Sequence, residues 1–305
     1  MLAYVARRVL TVPVSLFLVL MVSFLLLRVT GDPVEIYLDI NSTPDQRALL
    51  VERLHLDRPL PVQFALFLAD VLQGDFGVSL QFGSAALPIV LDRLDATILL
   101  VAAALVLAVV LGVVAGIVCA RWQDGWADFA LSGLAVAGQS MPSFWLGILL
   151  IEVFALDLQW LPTSGIGTPA HLVLPAVTLA TFLLPNFVLI TRTSLLETMG
   201  EQYVATARAK GASEARVLLR HALPNALNPV LSLLGLQIGR LMGGSIITES
   251  IFAWPGIGRL VIGSIFQRDV PVVAAGVFVV SIAIVLANLA VDVVQSRIDP
   301  RIRLA

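Results

Sequence analysis

The densest cluster of positive charge in the sequence is TARAKGASEARVLLRHALPNALNPV, Thr206 to Val230, where Arg208, Lys210, Arg216 and Arg220 stand among alanines and leucines. Cations interleaved with apolar residues at helical spacing do the chemistry of docking, either onto anionic headgroups or into a groove on a partner. Gly211 is a break, Ser213 a cap and Pro224 a stop, so the sequence predicts one helix over LLETMGEQYVATARAKG and a second over SEARVLLRHALP. On the second, Ala215, Leu218, Leu219, Ala222 and Leu223 share one side, and Arg216 and Arg220 repel modestly on the other. Residue types that break bonds are sparse elsewhere. The three histidines, His55, His171 and His221, have no metal-ligand spacing around them, and Cys119 is the only cysteine. There is no G-x-x-x-x-G-K-[ST] loop to hold ATP phosphates and no G-x-S-x-G elbow. The reading is of a chain with no metal site, no cofactor and no catalytic residue of its own.

The elements that must position this basic stretch are mostly apolar. The chain has 305 residues, 58% hydrophobic and 13% charged, with a mean hydropathy of +0.95, whereas a soluble domain carries about 25% charged residues. An all-α integral membrane protein follows. A bilayer core about 30 Å thick needs roughly 20 apolar residues per helix, and such stretches fall at 9–28, 96–120, 131–156, 172–193, 230–252 and 272–293. Six spans place both termini on one side. The short loops on that side hold Arg7, Arg8, Arg121, Arg192, Arg208, Lys210, Arg216, Arg220, Arg297, Arg301 and Arg303, so the positive-inside rule makes both termini cytoplasmic. The first span begins after Arg7 and Arg8 and lacks an A-x-A-like cleavage site, which reads as a retained helix. Residues 1–95 form that helix plus an acid-rich outer segment, in which STPDQRALLVERL and PVQFALFLADVL predict two short helices; residues 96–305 form a five-helix core with a cytoplasmic loop at about 194–229.

Three groups of intramembrane residues are candidates for work beyond spanning. Thr178, Thr181 and Pro185 share a face of the fourth span, and Pro185 removes the usual partner of the Thr181 carbonyl, predicting a kink that serves either packing or a gating hinge. Gly235, Gly239 and Gly243 form a side-chain-free stripe on the fifth span, suited to close helix packing. On another face of the same span lie Gln237 and Arg240. A cation inside a span is a functional candidate by default, with either a carboxylate partner or a water-filled surround.

The basic stretch resembles the E-A-A-x3-G-x9-I-x-L-P signature of permease subunits from ATP-binding-cassette importers, through Ala205-Thr206-Ala207, Gly211 and His221-x-Leu223-Pro224. The initial Glu and the Ile of that signature are absent. The resemblance extends over the chain through LLLRVTGDP, QGDFGVSL, MPSFWLGILLIEVFALDLQWLPTSG, YVATARAKGAS, ITESIFAWPGIGRL and DPRIRL, and it points to the dipeptide and oligopeptide branch. It implies a type I importer permease fold in a bacterial inner membrane and a second homologous permease. It also implies two ATPase subunits that hold ATP and Mg, and an external substrate-binding protein. The element after Gly211 would then be a coupling helix, with Ala205, Ala207, Gly211, Arg216, Leu218, Leu219, Arg220, His221, Leu223 and Pro224 at the ATPase contact. Importers of nickel, glutathione and other small solutes are similar. A secondary transporter needs a coupling-ion site, and a membrane scaffold for an ATPase needs no transport at all.

Overall fold

A computed structural model describes residues 13–25, 44–53 and 55–298. Its helices are α1 (Pro13–Leu25), α2 (Pro44–Arg53), α3 (Leu60–Leu72), α4 (Ala86–Arg121), α5 (Trp126–Ser140), α6 (Ser143–Asp157), α7 (Pro169–Met199), α8 (Gln202–Ala209), α9 (Glu214–Ile251), α10 (Ile257–Phe266) and α11 (Val270–Ile298). Among the described residues there is no strand, only an isolated bridge between Val78 and Ala85. The two short outer helices appear as α2 and α3, each with proline in the first turn, where the missing N–H is no loss. Ser42 and Thr43, the cap-type residues just ahead of α2, lie outside the described residues.

Among the described residues four helices are long and apolar enough to cross a membrane: α4, α7, α9 and the Val270–Val291 part of α11. The apolar α1 is shorter, and the rest of the stretch 9–28 lies outside the described residues. The stretch 131–156, read from hydropathy as one span, is not one straight helix. α5 and α6 meet at a 104° bend. Pro142 has no N–H to give and disfavours the helical region for the residue before it, and Met141 is accordingly extended at φ −80, ψ 135.

The helices sort into two compact units. One holds the described part of residues 96–255 with the chain from 286 onward. In it, α4 crosses α7 at glycines: a Cβ on Gly112 would lie 2.4 Å from the Cβ of Phe187, and one on Gly116 2.6 Å from the Cβ of Thr191 and 2.8 Å from the Val188 carbonyl oxygen. Spacing alone does not single out this G-V-V-A-G pair. α5 is held to α7 by a two-pronged ion pair, in which Arg192 Nε donates to Asp128 Oδ1 at 2.8 Å and Nη2 donates to Oδ2 at 2.6 Å. The Asp124 backbone N–H donates to the same carboxylate at 3.0 Å. Breaking such a buried pair from one side costs about 3 kcal/mol, because the remaining charge keeps its desolvation cost without its partner. Asp128→Ala is therefore expected to lower the thermal stability of the purified protein clearly. Asp128→Leu combined with Arg192→Met should recover most of the loss, and a double variant no better than Asp128→Ala would show that the pair does not hold α5.

Near the C-terminal end of α9 a carboxylate is fully buried. Glu249 accepts from Thr97 Oγ at 2.8 Å and from Ser245 Oγ at 3.2 Å, while Trp254 donates its ring N–H to the Ala96 carbonyl at 2.8 Å. These bonds tie the end of α9 and the turn after it to α4.

The second unit holds the described part of residues 2–95 with 256–285. Its core is made by Val71, Phe76, Val90, Ile257, Val272 and Ala275, among others. The irregular Gly74–Ser84 stretch turns at Gly74, Gly77 and Gly83, all at positive φ. It is fastened by the buried Asp269, whose Oδ2 accepts a short bond from Ser79 Oγ and another from the Gln81 N–H.

Candidate functional site

Between α7 and the membrane part of α9 the chain makes a compact, basic corner. The single helix predicted over LLETMGEQYVATARAKG is instead two, because α7 ends at Met199 and Glu201 is extended at φ −72, ψ 146. Gly200, with the greatest backbone freedom to lose, is the weak point in that helix. α8 then runs to Ala209 and Gly211 turns the chain at φ +82, a region L side chains rarely adopt. No atom lies within 4 Å of where a Gly211 Cβ would stand, so the glycine is required by the backbone and not by space.

The sequence predicts a stop at Pro224, and the structure carries the helix through it. Residues Val217–Ala222 adopt π geometry just ahead of the proline, and the wider turn moves aside the carbonyl that the ring would strike in an α-helix. α9 is thus continuous from Glu214 in the basic corner to Ile251 at the far end of its span. The basic corner and the membrane-spanning segment thus belong to one helix.

The corner has its own small core of Val204, Ala207 and Val217, and Ala222 packs with Leu195 and Ala226. Leu218 turns toward that second cluster, Leu223 and His221 are half-buried, and Leu219 is 58% exposed. The predicted one-sided apolar face is therefore divided by the π turn: part closes the corner and Leu219 projects. Around it Ala205, Arg208, Lys210, Arg216, Arg220 and Pro224 are exposed, as is Tyr203, whose hydroxyl accepts from Asn225 Nδ2 at 2.9 Å. Arg208 Nε donates to Glu214 Oε1 at 2.9 Å across Gly211. That hydrogen bond is the first cause holding the Glu214 carboxyl below its ordinary value, so the bridge is complete at neutral pH and is lost as pH falls through the lowered value. The corner thus exposes one leucine, Leu219, together with Lys210, Arg216 and Arg220, a combination suited to an acidic-rimmed apolar groove.

The intramembrane candidates do not converge. Thr178 and Pro185 are buried, and the hydroxyls of Thr178 and Thr181 bond back to Leu174 and Val177 of their own helix at 2.8 Å. α7 is helical on both sides of Pro185. A Cβ on Gly235 would lie 3.0 Å from Val291 Cγ1, Gly239 is half-buried, and Gly243 faces open space, so only the start of the predicted stripe packs inside this chain. Gln237 is buried with its Oε1 unbonded among the described residues, and Arg240 is exposed. Among the described residues no group of His, Cys, Asp and Glu is placed to hold a metal.

Residues 112–304 match the family model described as binding-protein-dependent transport system inner membrane component, and residues 1–101 match the N-terminal model of the same membrane components. The glutathione transport system permease proteins GsiC of Salmonella choleraesuis (strain SC-B67) and Escherichia coli (strain K12) are each 40% identical over 304 residues, 99% of this chain and of theirs. Among solved structures, an inward-facing form of the MetNI methionine ABC transporter aligns with a TM-score of 0.55 at 17% identity, covering 69% of this chain and 96% of that one. An amino acid ABC transporter aligns at 0.51 and 17% identity, over 70% and 94%. The fold is that of a type I importer permease. With nearly its whole length matched, the chain belongs to the family of binding-protein-dependent transport system inner membrane components, the multi-pass permeases of ABC importers.

Proposed function

We propose that this permease forms half of the translocation pathway of an ATP-driven importer of peptide-type solutes and couples to its ATPases through the α8–α9 corner. Its termini face the cytoplasm, where the basic loops lie. The second half comes from a homologous permease, two ATP-binding subunits holding ATP and Mg dock beneath, and an extracytoplasmic binding protein delivers the solute. The observation that carries the coupling role is the corner itself: a glycine at φ +82 sets α8 against a helix that runs unbroken from the projecting Leu219 into the membrane. Pro185, in the middle of α7, is the proposed hinge of the accompanying motion.

The 40% identity to glutathione permeases favours a glutathione-like tripeptide within the peptide class. Affinity capture of the tagged chain tests the whole reading. It is expected to bring down one further permease and two ATP-binding proteins, and the external protein captured with them should bind small peptides. Capture without an ATP-binding protein would contradict the reading, and a captured binding protein specific for a metal ion would move the substrate to another class.

A further inference from the structure

The membrane-spanning part of α9 carries a cation, Arg240. Arg240 is exposed, and no carboxylate among the described residues pairs with it. At about 1.5 Å of rise per residue it stands roughly 16 Å along the axis from the end of α9 at Ile251, well inside the apolar stretch. A guanidinium at that depth is costly against lipid and is found facing water or a partner charge.

Its neighbours on the helix agree. The exposed positions in the spanning part of α9 are Ser232, Leu236, Arg240, Gly243, Gly244, Ile247 and Ser250, five of the seven polar or glycine. The exposed face of α4 is the contrast: Ile98, Leu99, Val106, Val110, Leu111 and Val114 make an aliphatic surface fit for hydrocarbon. Ser232 and Ser250 give their hydroxyl hydrogens to Asn228 and Ile246 of the same helix, and the space above Gly243 is empty to 4 Å. Among these positions Arg240 is therefore the group with charge and donors to offer, beside a gap.

We propose that Arg240 lines the translocation pathway and receives a carboxylate of the passing solute. This rests on the reading of the chain as half of that pathway and adds the chemical class of ligand. A planar guanidinium meets a carboxylate through two parallel N–H···O bonds, which lysine cannot reproduce. The solute is held by charge at mid-membrane and moves on when the helices rearrange.

The test uses the complete transporter in vesicles. Arg240→Gln should cut uptake of a free-acid peptide roughly 10- to 100-fold relative to wild type, the range for losing one charge-assisted contact. Uptake of the same peptide with an amidated C-terminus should fall much less, and comparing each peptide with its own wild-type rate cancels the preference of the binding protein. Because Cys119 is the only cysteine of this chain and is buried, Arg240→Cys supplies this chain with a single reactive thiol, and labelling is read on this chain. Water-soluble methanethiosulfonates should label it, the cationic aminoethyl adduct, which returns the charge without the fork, should restore part of the uptake of the acid peptide, and the anionic sulfonatoethyl adduct should restore none. An unlabelled thiol in the assembled transporter, or equal loss for both peptides, overturns the proposal. Wild-type vesicles that import neither peptide overturn the import reading instead, and labelling, which needs no uptake, still decides whether position 240 faces the pathway.

Discussion

Gly116→Ala is expected to destabilise the permease by about 3 kcal/mol, the upper part of the usual range for overpacking, lowering the melting temperature of the purified permease by roughly 5 °C. One added methyl would stand 2.6 Å from the Cβ of Thr191 and 2.8 Å from the Val188 carbonyl oxygen. The second of these is backbone and cannot rotate away, so α4 and α7 must separate. Gly133→Ala is the control, because nothing lies within 4 Å of its Cβ position and alanine is the better helix former by about 1 kcal/mol. Thermal unfolding of the two variants decides it. A Gly116→Ala protein as stable as Gly133→Ala would mean that α4 and α7 do not meet at these glycines.

That crossing shows what a sequence gives up readily and what it hides. G-V-V-A-G at 112–116 has the spacing of a close helix contact, as does the series Gly235, Gly239 and Gly243, yet the structure packs α4 along its pair and leaves Gly243 facing open space. Spacing says that a backbone is accessible, and only the fold says to what. Gly211 was legible because a break between two helix-prone segments confines the backbone locally, and its φ of +82 follows from the turn alone. Local chemistry also sufficed for α2 and α3, where proline marks the first turn. Non-local chemistry did not. Asp128 and Arg192 find each other across 64 residues, and Glu249 meets Thr97 across 152; nothing in either neighbourhood of the sequence names the other. At Pro142 the apolar run of 131–156 outweighed a local signal that was present, since hydropathy is blind to the 104° bend that one proline allows.

Gly211→Val is expected to uncouple transport from ATP hydrolysis with every charge of the basic corner intact. A side chain at φ +82 is strained by about 2 kcal/mol and more when β-branched, enough to shift a two-state equilibrium roughly 30-fold. The strain falls on the turn that sets α8 against α9. Gly211→Asn, which tolerates the left-handed region, should keep most of the uptake, and this separates backbone geometry from loss of a small residue. Leu219→Asp attacks the other half of the contact: it places a carboxylate where the one projecting leucine stands, 58% exposed among Arg216 and Arg220. It should release the ATPase subunits from the purified complex. A corner that served only to lie on anionic headgroups would respond differently, weakening with Arg216→Glu and Arg220→Glu and ignoring Gly211→Val.

The most direct test of coupling through this corner is ATP hydrolysis and solute uptake measured together in reconstituted vesicles carrying Gly211→Val. The account predicts ATPase subunits retained and ATP hydrolysed, with uptake reduced at least about tenfold per ATP. Uptake per ATP equal to wild type would contradict it and return the basic corner to the membrane surface.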